Sequence, residues 1–205
     1  MSLAALKAPG VTDTRRRIVD TAVRLFTRHS FAGTSLQMIA DELDITKAAV
    51  YHHFHTREEL LLAAVEPVLE PLRTIVETAE TQRTPQARAE YMLVGYANLA
   101  VRNRALLSVL AADPGVTDVM LTQHGLDDLI NRQLNLLAEV DRGPSGRVKA
   151  ALVLAGIPGA VAPRLIGLDD DVLLQYVIEA GRRTLGLRTP RRSTRDAAPN
   201  VPERR

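Results

Sequence analysis

The sequence predicts an all-α fold of about nine helices. A short N-terminal three-helix unit precedes a larger C-terminal helical unit. Three observations predict it. Apolar residues recur with the helical period in almost every segment, and no segment sustains the alternation of a strand. Aromatic residues make up 3% of the chain and Trp is absent, a poor composition for a sheet. Hydroxyl residues stand where helices should start, and Gly or Pro where they should break. With 205 residues and 46% hydrophobic content, the chain is long enough to bury a core.

The elements follow in order. Residues 1–11 read as a flexible arm. A first helix runs from Thr12–Thr14 to His29, with Ile18, Ala22, Leu25 and Phe26 on one face. Gly33 breaks the chain, and Ser35 caps a second helix whose face is Leu36, Ile39, Ala40 and Leu43. Asp44–Ile45 links it to a third helix, from Thr46 to Phe54. Thr56 starts a long fourth helix to Glu80, which Pro67 and Pro71 should bend. Thr84–Pro85 opens a fifth, to Val101. A sixth spans 105–112 and stops before Asp113–Pro114–Gly115. A seventh covers 117–140, with a weak point at Gly125, and Gly143–Pro144 ends it. An eighth spans 145–165. Asp169, Asp170 and Asp171 open a ninth, which ends near Gly186. Residues 188–205 have no apolar face and read as a disordered basic tail.

Composition narrows the function. No cysteine is present, which removes disulfides, thiolate nucleophiles and cysteine-held zinc. Residues 1–13 do not make a signal peptide, and no run is long enough to span a membrane, so a soluble, cytoplasmic protein is expected. No Gly-x-Ser-x-Gly elbow, phosphate-cradling glycine loop or dinucleotide fingerprint occurs, so no enzyme is expected. The net charge of +2 conceals an asymmetry: +3 over residues 1–57, −7 over 58–181 and +6 over 182–205. A basic head on an acidic body suits a contact with nucleic acid at one end.

The informative stretch is residues 45–60, ITKAAVYHHFHTREEL. Two short helices on a tight link, after a longer one, have the form of a helix-turn-helix. Thr46 can cap the third helix, and Ile45 and Val50 have the spacing of a hydrophobic staple. Asp44 stands in the turn, and aspartate tolerates a left-handed backbone. At 100° per residue, Lys47, Ala48, Tyr51, His52 and His55 share one arc, while Ala49, Val50, His53 and Phe54 share the other. The first arc suits a major groove: Lys47 for phosphate or guanine, Ala48 near a thymine methyl, Tyr51 for phosphate or a base edge. A competing reading takes His52, His53 and His55 as metal ligands, although no third ligand of defined spacing or supporting shell is evident.

The run from Arg16 to Leu62 resembles a known family. Leu25–Phe26, Phe31–Ala32–Gly33–Thr34–Ser35, Ile39–Ala40, Thr46 through Phe54 and Arg57–Glu58–Glu59–Leu60 are similar to the N-terminal domain of TetR-family transcriptional regulators. Asp44 departs from the pattern, where that turn often has Gly. The resemblance implies that Ser35 and Gln37 touch phosphate and a base edge, and that Lys47, Ala48, Ala49, Tyr51 and His52, beside the cap Thr46, face the groove. It implies phosphate contacts for Arg57 and for His53, which the helical wheel places slightly inward; both placements of His53 stay open.

The resemblance also implies a DNA-binding domain over 12–57 and a ligand-binding and dimerisation domain over 58–187. It implies a homodimer on a palindromic operator in double-stranded DNA, released by a small-molecule effector, with the protein acting as a repressor. No cofactor and no membrane partner are implied. The subunit contact should use the last two helices, through Leu152, Ala155, Val172, Leu173, Tyr176 and Val177. The effector pocket, drawn from the fifth and seventh helices, should include Tyr91, Met92, Tyr96, Met120, Gln123 and His124, and should be largely apolar. The alternative is a helical small-molecule or metal-binding protein whose head contacts another protein.

Overall fold

The computed structural model describes residues 11–121, 125–162 and 167–188. Among these residues there are ten α-helices and no strand. They are α1 (Val11–His29), α2 (Leu36–Leu43), α3 (Lys47–Tyr51), α4 (Arg57–Glu80), α5 (Pro85–Arg102), α6 (Arg104–Ala112), α7 (Pro114–Leu121), α8 (Leu126–Ala138), α9 (Pro144–Ala160) and α10 (Asp170–Leu185). The all-α class stands. The expected tail, most of the expected arm and the last residues of the expected eighth helix lie outside the described residues.

Three boundaries differ from the sequence reading. The eighth helix expected over 145–165, here α9, already ends at Ala160 with Val161 as its cap. The third helix ends at Tyr51 rather than Phe54, although the N–H groups of His53 and Phe54 still reach back to the Val50 carbonyl. The single helix expected over 117–140 is instead two, α7 and α8. Pro114 opens α7 rather than ending α6, because Asp113 takes the cap position and its carboxylate accepts the Gly115 N–H at 3.0 Å. Gly125, at φ +84°, precedes α8 in a left-handed conformation that glycine adopts without strain. In α4 the helix continues through Pro67 and Pro71, both of which face solvent.

One hydrophobic core runs from Ile18 in α1 to Leu187 beyond α10. Ile18, Ala22, Leu25 and Phe26 of α1 are buried against α2, α4 and α6. In α2, Leu36, Ile39 and Ala40 close the same face. Burying a side chain such as Ile39 contributes about 2 kcal/mol, and its truncation to Ala would cost about 3 kcal/mol. Helix α5 is central to the larger unit and packs on α4, α8 and α10. Gly181 of α10 lies so close to α5 that an added Cβ would meet Leu93 at 2.5 Å.

Ion pairs lace the outside of this unit. Arg132 of α8 holds Glu80 of α4 through two bonds of 2.9 and 2.8 Å, and Arg182 of α10 grips Glu90 of α5. Arg104 of α6 reaches Asp170 of α10 at 3.1 Å. These pairs are partly exposed, so each fixes orientation more than it adds stability.

Candidate functional site

The N-terminal unit is built from local hydrogen bonds that its sequence supplies. Asp44 adopts φ 52° and ψ 46°, the left-handed conformation that lets the α2–α3 turn close so sharply. The Ile45 N–H then reaches the Ala40 carbonyl. Thr46 caps α3 by accepting the Ala49 N–H at 3.2 Å, and Ser35 caps α2 by accepting the Met38 N–H. Thr56 caps α4 by accepting the Glu59 N–H. Glu59 reaches back to the N–H of His55, one residue earlier than an ordinary capping box would take it.

The α1–α2 link is equally constrained. Ser30 has φ 68°, and its hydroxyl oxygen accepts the Gly33 N–H. A Cβ on Gly33 would lie 2.1 Å from the His29 carbonyl oxygen, so only glycine fits there. Thr34 is buried and donates its hydroxyl hydrogen to the Ser30 carbonyl at 2.8 Å.

These turns fix which side of α3 faces outward. Lys47, Ala48, Tyr51, His52 and His55 are all exposed, whereas Val50 and Phe54 are buried. The Lys47 ammonium lies over the Tyr51 ring, 5.4 Å from its centre. Ser35, Gln37, Lys47, Tyr51 and Arg57 line one shallow concavity of about 440 Å³. Thr46 is exposed beside the arc, and Ala49 is half-buried on its edge. Gln37 holds Asp41 through its side-chain amide at 2.7 Å. His53 is half-buried, with its ring edge-on to His52 at 5.2 Å between centres. It thus sits at the rim, between the two placements that sequence reading left open. No group of three His, Asp or Glu side chains that could hold a metal ion occurs among the described residues.

Arg57 has partners that the sequence did not announce. Its guanidinium donates to the carbonyls of Ala32 at 2.7 Å and Phe31 at 3.2 Å, and stacks over the Phe31 ring. The first residue of α4 therefore clasps the α1–α2 link.

A second feature lies beneath α4. A cavity of about 520 Å³ opens among α4, α5, α6, α7, α8 and α9, lined by Val65, Leu69, Leu72, Leu107, Met120, Leu134 and Leu154 among others. Gln133 and Tyr96 are its polar members. The Tyr96 hydroxyl donates to the Leu154 carbonyl at 3.3 Å, and burial pushes its pKa up to about 12.

The comparisons with known proteins converge on one family. Residues 18–64 match the family model of bacterial regulatory proteins of the tetR family. Residues 18–64 thus carry the N-terminal domain of that family. The chain is 45% identical over 56 residues to the HTH-type transcriptional regulator YerO of Bacillus subtilis, covering 27% of this chain and 19% of YerO. It is 30% identical over 132 residues to the probable acrEF/envCD operon repressor of Escherichia coli K12, covering 62% of this chain and 60% of that repressor. The matched stretches thus span less than two thirds of either relative. AibR, solved in complex with isovaleryl coenzyme A and operator DNA, shares the fold at a TM-score of 0.60 and 18% identity, over 82% of this chain and 97% of AibR.

The residues expected in the pocket divide. Tyr96 and Met120 line the cavity. Met92 does not, because it is sealed in the core at 0% exposed. Tyr91 is turned about 140° from Tyr96 around the helix, and it lines a separate open groove with Ile75, Glu90 and Asn98. Gln123 and His124 lie outside the described residues. Gln133 was missed, although a glutamine on the apolar stripe formed by Leu129, Leu136 and Leu137 is a readable signal.

The residues expected at a subunit contact also divide. Leu152, Val172 and Tyr176 are exposed at 62%, 39% and 57%. Leu173 and Val177 belong to the buried stripe of α10 and are core residues of this chain, though they floor a groove that Leu152 and Tyr176 flank. Ala155 is exposed and lines the cavity beneath α4 rather than this groove. Val148, at 59% exposed on α9, was missed. Among the described residues, no helix is long and apolar enough to cross a membrane.

Proposed function

We propose that this protein is a dimeric transcriptional repressor that binds a palindromic operator through residues 12–57 and is released from it by a small, largely apolar effector held in residues 58–187. The single observation that carries the reading is the exposed arc of α3, where Lys47, Ala48, Tyr51 and His52 project outward from a helix capped by Thr46. A lysine, a small residue and a phenol on one rigid arc can approach a major groove together. Ser35 and Gln37 flank the arc on the same concavity and would touch the adjacent backbone.

The two-fold dimer is supported by the apolar surface that α9 and α10 leave uncovered. Two copies of that surface would make a four-helix contact, and a two-fold protein calls for a two-fold operator. The repressive sign rests on relatives, among them the Escherichia coli protein named as a probable operon repressor. AibR was solved with both a ligand and operator DNA, which makes an effector in the cavity of this chain a natural reading.

Release would work by a shift of population. An effector that fills the cavity favours one spacing of the two DNA heads, and operator affinity falls by the difference in its affinity for the two spacings. Helix α4 runs from Arg57, at the α1–α2 link, to Val65, Leu69 and Leu72 on the cavity wall, so it would carry the change. The test is binding of the purified protein to duplex DNA from beside its own gene, in an electrophoretic shift assay. A discrete complex that resists competitor DNA is expected. Binding no tighter than to random duplex would overturn the reading.

A further inference from the structure

We propose that the cavity beneath α4 takes an uncharged, mainly apolar molecule bearing a hydroxyl or amide hydrogen, and that Gln133 reads that hydrogen. This rests on the reading of the cavity as the effector site and adds the charge and polarity of the ligand.

The lining carries the inference. Among the described lining residues none is charged, and the polar ones are Gln133 and Tyr96. Gln133 is only 4% exposed. One of its amide hydrogens goes to the Leu129 carbonyl one turn back, at 3.3 Å. Its carbonyl oxygen accepts nothing among the described residues, yet no fully enclosed polar side-chain atom lacks a partner. That oxygen therefore opens on the cavity. Tyr96 gives its hydrogen to Leu154, so it too offers the cavity lone pairs. Two acceptors in an apolar wall, beside the remaining amide hydrogen of Gln133, call for a ligand group that donates as well as accepts, as a hydroxyl or an amide does.

The same lining excludes other classes. An ionised carboxylate or phosphate would lose its hydration, find one amide hydrogen of Gln133 beside two oxygens that repel it, and meet no cationic partner among the described lining residues. A hydrocarbon would fit the wall but leave the Gln133 oxygen dry and unpaired. A volume of about 520 Å³ is in the range of small-molecule sites.

The test uses the full chain with decan-1-ol, decanoate and decane at neutral pH, each titrated against bound Nile red. Decanol is expected to displace the dye about tenfold more effectively than decanoate, and several-fold more effectively than decane. Gln133→Leu is expected to erase the advantage of decanol over decane. Tyr96→Phe, which keeps the ring in place, is expected to reduce it and serves if the first variant fails to fold. The proposal is overturned if decanoate binds as well as decanol, or if both variants keep the full preference for the alcohol. If none of the three displaces the dye, the ligand class and the effector reading fall together. If decanol binds as expected but leaves DNA affinity unchanged, the effector reading fails while the ligand class is upheld.

Discussion

Asp113 accepts the backbone N–H of Phe31 through one carboxylate oxygen at 2.9 Å, joining the α6–α7 link to the α1–α2 link. Its other oxygen accepts the N–H of Gly115. The carbonyl of the same Phe31 accepts from Arg57 at the start of α4. One residue of the N-terminal unit is thus held from two sides, by the α6–α7 link and by the start of α4. Both holding elements lead to the cavity: Leu107, Leu110, Val116 and Met120 of α6 and α7 line it, as do Val65 and Leu69 of α4. Under the proposed function, a molecule that moves these walls would act on the backbone of the unit that faces DNA.

The first prediction follows from that latch. Asp113→Ala removes acceptors from two N–H groups and is expected to lower stability by about 2 kcal/mol. Hydrogen exchange at the Phe31 amide is expected to quicken beyond what the global loss explains. Urea unfolding with residue-resolved exchange checks both. An unchanged Phe31 amide in the variant would contradict the latch.

Arg57 separates a clasp from a phosphate contact. Its guanidinium bonds to Phe31 and Ala32 carbonyls, so Arg57→Gln is expected to cost about 2 kcal/mol of stability and to weaken DNA binding through the displaced link. The salt dependence of binding should keep its slope. Lys47→Ala, which removes a cation from the exposed arc, is expected to reduce that slope by about one. If Arg57→Gln also reduced it by about one, the guanidinium would be a phosphate contact instead.

The features that were legible in the sequence are the local ones. Ser35, Thr46, Thr56 and Thr84 were readable as caps because each bonds an N–H three residues on. The buried faces of α1 and α2 were readable from period alone. Asp113 and Arg57 were not, because their partners lie 82 and up to 26 positions away and no periodicity encodes such a pairing. Asp113–Pro114 read as a break because Pro both interrupts helices and opens them, and only the Gly115 bond decides. On α10 the sequence reading placed Val172, Leu173, Tyr176 and Val177 together on the subunit contact, and did not separate the buried pair, Leu173 and Val177, from the exposed pair, Val172 and Tyr176.

The α9–α10 surface gives a paired test. Leu152→Glu adds a charge to a residue 62% exposed, so the protein is expected to sediment as a monomer while its melting temperature stays within a few degrees of that of the parent measured at low concentration. Leu173→Glu buries the charge and is expected to unfold the chain. A Leu152→Glu variant that sediments like the parent would rule this surface out as the subunit contact.

Acid should weaken the tie between α4 and α8. Hydrogen bonds from Arg132 hold the Glu80 carboxyl below its ordinary value of 4.5. A carboxylate whose folded pKa is depressed stabilises fully above its unfolded pKa and loses that contribution as pH falls through the folded value. The stability difference between the parent and Glu80→Gln should therefore be full at pH 7, under about 1 kcal/mol for so exposed a pair, and vanish in acid. A difference that did not change with pH would mean the pair contributes nothing through charge.

The most direct test of the central claim is DNA affinity of the α3 arc, measured by fluorescence anisotropy on a duplex that the parent protein selects from a random pool. Tyr51→Ala and Lys47→Ala are both exposed truncations, and Lys149→Ala, on α9 and paired with Asp141, is the control. Each α3 variant is expected to melt like the parent and to bind the duplex at least about tenfold more weakly, while Lys149→Ala binds normally. Parent-like binding by both α3 variants would contradict the central claim.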